Sequence, residues 1–287
     1  MLRNLQKWKE ERRKNKLMRS ILTVIMLFAA SMLYAQCPTV NKAFKPGEKL
    51  TYDLYFNWSF IWVKAGTAYY TTRNAKFNGQ ECLRTDLISL SNKRCSAVFP
   101  MKDTIMAYIT PELVPVYYRK GASEGGNYTV DEVWYTYPNN KVKVRQRYRN
   151  RHGKVDEYTR MSNSCVYDMA SMLSLARSFD EKVYCKKKGQ RFTFPLATGD
   201  EIKEEILEYN GRKRWKANDG VTYNCLLFTL IDDEDEKKER KLLSFYITDD
   251  ANHLPIRIDF FLKFGSAKAF LTKSENLRNP QTSIYKK

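Results

Sequence analysis

The chain is short of the groups that most enzymes use at neutral pH. Only two histidines, His152 and His253, stand in 287 residues, so a histidine-built metal or proton-transfer site has little material. No CxxC joins any of the six cysteines, which lie 45, 13, 70, 20 and 40 residues apart, and this argues against thiol exchange and zinc knuckles. No GxSxG precedes a helical pattern and no glycine-rich phosphate loop is present, which removes the hydrolase elbow and the nucleotide cradle. No repeat of 20 to 50 residues is visible, and the longest apolar segment, Ile21 to Ala35, falls short of the roughly 20 residues a spanning helix needs.

What is present begins with eight Lys/Arg and two Glu up to Arg19, followed by ILTVIMLFAASMLYA. A basic start, a short apolar core and a small residue at Ala35 make a secretory signal, with cleavage expected before Gln36. An uncleaved anchor is the alternative, and a start at Met18 rather than Met1 would give a more compact signal. The expectation is therefore an exported, periplasmic protein with one domain over residues 36–287. Acylation of Cys37, giving an outer-membrane lipoprotein, is the lesser alternative because Gln36 is not small. Without residues 1–35 the net charge falls from +18 to +12. Export permits disulfides, though a chain this long does not need them to fold; the cysteines are read as buried free thiols or, if any pair is bridged, as Cys165 with Cys185, which flank one helical segment.

Most of the remaining chain alternates with period 2. LTYDLYFN sets Leu50, Tyr52, Leu54 and Phe56 on one face. IWVKAGTAYYTT continues around Gly66, which reads as a bulge or bend. Further strands are ECLRTDLISL and DTIMAYIT, after which Pro111 and Pro115 interrupt the pattern. In TVDEVWYTYPNNKVKVRQRYR, a tight turn at Asn139-Asn140 would pair Thr136 with Lys143, Trp134 with Arg145 and Glu132 with Arg147, and Tyr135 with Val144 on the other face. QRFTFPL, EIKEEILEY, CLLFTLI, LLSFYIT, PIRIDFFLKF and AKAFLT complete the strands, with Asp232 to Arg240 as a solvated tip. One segment, DMASMLSLARSF, reads as a helix capped by Asp168. Its Met169, Met172, Leu173 and Ala176 are expected to face the sheet. The fold class is mainly β: a single curved antiparallel sheet or half-open β-barrel with one packed helix.

Three stretches, FKPGEKLTYDLYFNWSFIWVKAGTA, VYDMASMLSLAR and YITDDANHLPIRIDFFLKFGSAKAFL, together resemble the DUF3108 family of exported bacterial proteins from about Phe44 to Leu271. On that resemblance Pro46-Gly47-Glu48 is the entry turn, Gly66 the second-strand glycine, Asp168 and Ser171 the helix start, and Asp249, Pro255 and Gly265-Ser266 the late turn, strand start and final Gly-Ser. The resemblance implies an antiparallel, half-open β structure, lipocalin-like or lipoprotein-carrier-like, and no established activity or catalytic residue.

Asp249, Asp250 and His253 form the nearest approach to a catalytic cluster. Short polar side chains ahead of Pro255 read instead as a turn feeding a strand, and His152-Gly153 as a polar turn. No metal or cofactor is expected. Two function classes remain. The first is a cell-envelope binding or carrier protein without catalytic activity, its concavity drawing on Tyr52, Phe56, Trp62, Tyr135 and Tyr137. Lys141, Lys143, Arg145, Arg147 and Arg149 add a positive stripe beside Trp134, read either as an anion-binding surface or as a solvated face. Anionic lipid, glycan or an acidic envelope protein are the partners this allows, and nucleic acid is not expected. The second class is an envelope hydrolase acting on glycans through paired carboxylates, with Asp53, Asp86 and Glu132 as strand examples.

Overall fold

The computed structural model describes residues 37, 39–58, 61–218, 220–232, 239–262 and 265–286. The expected signal segment, the centre of the Asp232 to Arg240 run and Phe264 lie outside them. The chain divides into two compact units, Met1–Gln36 and Cys37–Lys287. The second holds the whole sheet and every described core cluster, and so contains what a domain needs to fold by itself.

Among the described residues, fourteen antiparallel strands form one sheet. They are β1 Lys49–Trp58, β2 Ile61–Phe77, β3 Gln80–Ser91, β4 Met101–Ile109, β5 Pro115–Glu124, β6 Asn127–Thr136, β7 Val142–Arg149, β8 Val155–Ser162, β9 Arg191–Thr198, β10 Glu201–Lys216, β11 Thr222–Asp232, β12 Arg240–Thr248, β13 Pro255–Phe261 and β14 Ser266–Glu275. The spatial order is 8-7-6-5-4-3-2-1-14-13-12-11-10-9. The chain therefore starts in the middle of the sheet, steps outward to β8, crosses to the opposite edge and steps back until β14 closes on β1. The sheet is not closed into a barrel by hydrogen bonds between β8 and β9. It curls far enough that the Gln146 amide on β7 donates to the Glu201 carbonyl on β10 at 2.8 Å.

The local signals explain much of this. Asn139 and Asn140 take φ of 50° and 58° and the Lys141 N–H closes on the Pro138 carbonyl, so the expected turn forms. The register is Thr136–Lys143, Trp134–Arg145, Glu132–Arg147 and Tyr135–Val144, as the pattern predicts. At Gly66 the β1 register slips by one residue. A Cβ there would sit 2.0 Å from the Leu90 carbonyl oxygen, so only glycine allows β3 this close. Two strands escape the period-2 reading. Pro115 opens β5 rather than interrupting it, and Pro115 to Tyr118 are all buried, which erases alternation. The outermost strand β8 is partly exposed along its whole length.

The connection from β8 to β9 carries the helix Met169–Arg177, followed by a short helix Glu181–Tyr184. Asp168 accepts from the Ala170 and Ser171 N–H groups and the Ser171 hydroxyl accepts from Asp168 N–H, a reciprocal cap of the kind that contributes about 1 kcal/mol. The buried face is not the expected one. Met169 is 45 % exposed and Met172, Leu173 and Ala176 are half-buried, whereas Ala170, Ser171, Ser174, Leu175 and Arg177 are buried. The small serines allow close approach to a sheet face that offers tyrosine hydroxyls: Tyr70 meets Ser174 and Tyr135 donates to Asp168. The expected Cys165–Cys185 bridge is also corrected. Cys165 pairs with Cys37, with Cα atoms 5.5 Å apart, and Cys185 is a free buried thiol. The helix's own length separates its two flanking cysteines, whereas the N-terminal segment runs alongside the β4–β5 turn, where Thr39 N–H reaches the Glu112 carbonyl.

Candidate functional site

Alternation sends Leu50, Tyr52 and Leu54 of β1, Ala68 and Tyr70 of β2 and Ala269 of β14 to the same side as the helix. With Leu87, Ser89, Pro255, Ile258 and Phe260 from the flanking strands they wall a cavity of about 70 Å³. Leu173 and Arg177 of the helix complete it. Of the helix's apolar side only Leu173 faces this space, whereas Met172 packs against Tyr167, Leu175 and Leu196. Burial pushes the Tyr52 and Tyr70 hydroxyls above their ordinary values, so both remain neutral donors at any physiological pH.

One end of this cavity is fastened by a buried ion pair. The Arg177 guanidinium is 1 % exposed and the Glu48 carboxylate 0 %. Two guanidinium nitrogens engage the two carboxylate oxygens, the second at 3.0 Å. Arg177 also donates to the Asn252 carbonyl at 3.1 and 3.3 Å and lies over the Phe44 ring. The C-terminal end of the helix, the entry turn and the 249–253 turn are thus tied to one side chain. In that last turn Asp250 accepts from Thr248, Asn252 N–H and Ser283 N–H. His253, at φ 43°, stacks on Phe179, donates from Nδ1 to the Arg177 carbonyl at 2.7 Å and sets Nε2 3.2 Å from Glu181 Oε1. Both ring nitrogens are committed to packing the helix end, so the stretch is a structural turn.

The strand carboxylates do not gather. Asp53 meets Lys64, Asp86 meets Arg84 and Arg73, and Glu132 accepts from Tyr117 and Arg147; none lines the cavity. A different carboxyl pair is on the inner side. Asp103 on β4 pairs in register with Ser89, a cavity residue, accepts from the Ser123 N–H at 3.1 Å and has Glu124 beside it. Burial and then Glu124 push the Asp103 carboxyl up to about 6.

The matching family model, described as "Protein of unknown function (DUF3108)", covers residues 51–272. The chain belongs to this family. Membership is consistent with an exported bacterial protein. No curated protein matches the chain. Among solved structures it is similar to a crystal structure of a beta-barrel-like protein of domain of unknown function DUF1849 from Brucella abortus, at 12 % identity and a TM-score of 0.51. The match covers 85 % of this chain and 100 % of that one. At this identity the likeness establishes the fold alone.

In this DUF3108 chain the sequence-selected binding residues do not form one site. Tyr52 lines the cavity and Phe56 lies on the same face of β1. Tyr135 and Tyr137 also face inward but are engaged with the helix start and the β5 entry: Tyr135 with Asp168, Tyr137 with the Pro115 carbonyl at 2.6 Å. Trp62 is on the outer face, under Lys268 at 3.9 Å. Trp134, Lys143, Arg145 and Arg147 are also outside. Arg145 lies 5.0 Å from the Trp134 ring centre, as the register demands. The stripe is not of one sign, however. Arg145 and Arg147 pair with Glu157, and Arg147 also with Glu132. Trp134 continues into a run of rings with Tyr117, Phe77 and Tyr108. The pattern of Leu50, Leu54, Leu173 and Phe260 was available in sequence, but their convergence needs the β1–β14 closure. Among the described residues no group of three or more His, Cys, Asp or Glu is placed to hold a metal ion.

Proposed function

We infer that this chain is a noncatalytic binding or carrier protein of the cell envelope, whose cavity takes the apolar end of an amphiphilic ligand. The observation that carries this reading is the cavity itself: most of the side chains lining it are apolar, and of the four that carry a polar group, Arg177, Tyr70, Tyr52 and Ser89, the first two already have partners in Glu48 and Ser174. A space walled mostly by hydrocarbon gives water few groups to bond and is filled by hydrocarbon in preference. Its volume corresponds to about five water-sized groups, which suits a short stretch of acyl chain, the remainder of the ligand lying outside. Half-exposed Leu173 and Leu54 are positions where an incoming chain would gain contact.

The test is to fill the space. Leu54→Trp is expected to abolish displacement of a fluorescent fatty acid from the protein, and Leu173→Ala to retain it. Equal binding by both variants and wild type would refute the cavity as the site.

A second reading, hydrolysis of glycans, draws on the Asp103–Glu124 pair beside the cavity. Glycosidase carboxyls stand roughly 5 to 9.5 Å apart, with the sugar or water between them, whereas Glu124 lies directly beside Asp103. That geometry supports the binding reading. Glycan hydrolysis by wild type that Asp103→Asn eliminates would reverse the preference.

A further inference from the structure

Six neighbouring strands, in the order 4-3-2-1-14-13, end at one rim of the sheet and carry exposed apolar residues on three separate connections there. The β1–β2 hairpin presents Ile61, 69 % exposed, and Trp62. The β3–β4 connection presents Val98, 71 % exposed, and Phe99, 51 %. The β13–β14 hairpin presents Phe261 and Leu262. At about 4.8 Å between strands the fringe is about 24 Å long. It adjoins the cavity, because Ser89 and Phe260 are two and one residues from the ends of their strands at Ser91 and Phe261.

Turn and hairpin residues facing water are ordinarily polar, so large apolar side chains on three adjacent tips mark an interaction surface. Their neighbours identify the partner. The segment from Ser91 to Lys102 contains Lys93, Arg94 and Lys102 and no carboxylate. All three cations are exposed, and none enters an ion pair among the described residues. Trp62 with Lys268 over its ring adds an aromatic and a cation at the same level. Apolar tips flanked by free cations and an edge tryptophan match the layering of an anionic lipid surface, with acyl boundary below and phosphate above. A second copy of this chain is a poor occupant, since a two-fold contact would bring the same three cations against each other.

We propose that this rim docks on an anionic phospholipid surface, which sets the cavity beside the lipid from which an acyl chain would be drawn. The docking claim stands apart from the cavity reading, because the tips and the cavity lining are different residues apart from their shared strands.

The test uses the unit Cys37–Lys287, sedimented with vesicles of phosphatidylglycerol and phosphatidylethanolamine or with phosphatidylcholine alone. Each cation near an anionic surface is worth about fivefold in binding. Lys93→Gln/Arg94→Gln/Lys102→Gln is therefore expected to lose on the order of 100-fold on the anionic vesicles and to change little on the neutral ones. Val98→Asp/Phe99→Asp is expected to lose binding to both. Lys143→Gln/Arg145→Gln/Arg147→Gln, on the outer face, is expected to bind as wild type does, and so is the cavity variant Leu54→Trp. Circular dichroism checks that each variant is folded. Absence of wild-type binding to anionic vesicles, unchanged binding by both folded rim variants, or loss confined to the outer-face variant would overturn the proposal. A dimer in solution that the Val98/Phe99 variant dissolves would overturn it in favour of a second copy. Loss in Leu54→Trp with the rim variants unaffected would leave the cavity reading standing and remove this one.

Discussion

Removing one charge from the Glu48–Arg177 pair is expected to be among the most destabilising single changes in the molecule. Glu48→Gln keeps the size of the side chain and leaves the guanidinium, 1 % exposed, without an anion. The Asn252 carbonyl satisfies two of its donors but neutralises nothing. Breaking a buried pair in this way costs roughly 3 to 5 kcal/mol, because the desolvated charge that remains has no compensation. For a unit of about 250 residues this lowers the melting temperature by about 6 to 20 °C. Arg177→Met is expected to fall in the same range, for the converse reason. The double variant Glu48→Leu/Arg177→Met removes both charges and replaces them with apolar groups of similar length. It is expected to lie within about 1 to 3 kcal/mol of wild type, the residue being the Asn252 carbonyl left without its donors. Urea unfolding at pH 7, with the disulfide intact, gives all four corners of the cycle. A loss below about 1 kcal/mol in Glu48→Gln, or a double variant whose loss equals the two singles together, would refute the claim that this pair fastens helix to sheet.

Three other outcomes follow from the same geometry. Cys37→Ser opens a loop with 128 residues of sequence separation and is expected to destabilise the unit by about 2 to 5 kcal/mol; a non-reducing peptide map should join Cys37 to Cys165, and a lipid on the Cys37 sulfur, which uses the same atom, would contradict the bond. Burial pushes Asp168 up to about 6 from an ordinary 3.8, so the folded state holds more protons than the unfolded one between those values and stability falls as pH rises through about 4 to 6. Asp168→Asn should flatten that part of the profile, and an unchanged slope in Asp168→Asn/Asp103→Asn would show that neither carboxyl is held up by folding. On the outer face, Arg145 and Arg147 already have carboxylate partners, so replacing Lys143, Arg145 and Arg147 by Gln should change binding to a soluble polyanionic glycan by less than about tenfold, as expected for exposed, salt-screened contacts; a complete loss would restore the stripe as a recognition site.

The strands were legible because most of them are wet on one face. Leu50, Tyr52 and Leu54 alternate with Thr51 and Asp53, and the sheet turns that alternation into an inside and an outside. Where both faces are covered, as from Pro115 to Tyr118, the pattern vanished and β5 went unread. The helix misled for a related reason. Its apolar stripe looked like the docking face, yet the sheet opposite presents Tyr70, Tyr135 and Glu48, so Ser171, Ser174 and Arg177 are the better match and Leu173 is left for the cavity. An arginine in the last turn of a helix ordinarily reads as a solvated partner of the helix dipole. Nothing within nine residues shows that Glu48, 129 positions away, is waiting for it. A similar distance in sequence hid the Cys37–Cys165 bond, and the meeting of Leu54 with Phe260 depends on β14 returning to lie between β1 and β13.

The central claim, that the interior cavity holds the apolar end of an amphiphile, is tested most directly by what the protein carries. The full chain, expressed in a bacterial host and purified without detergent, should be extracted with organic solvent and the extract analysed by mass spectrometry beside the Leu54→Trp variant prepared in the same way. The account predicts an acyl-chain compound near one equivalent per wild-type chain and its absence from the variant. An extract free of lipid, or an equal amount from both proteins, would contradict it.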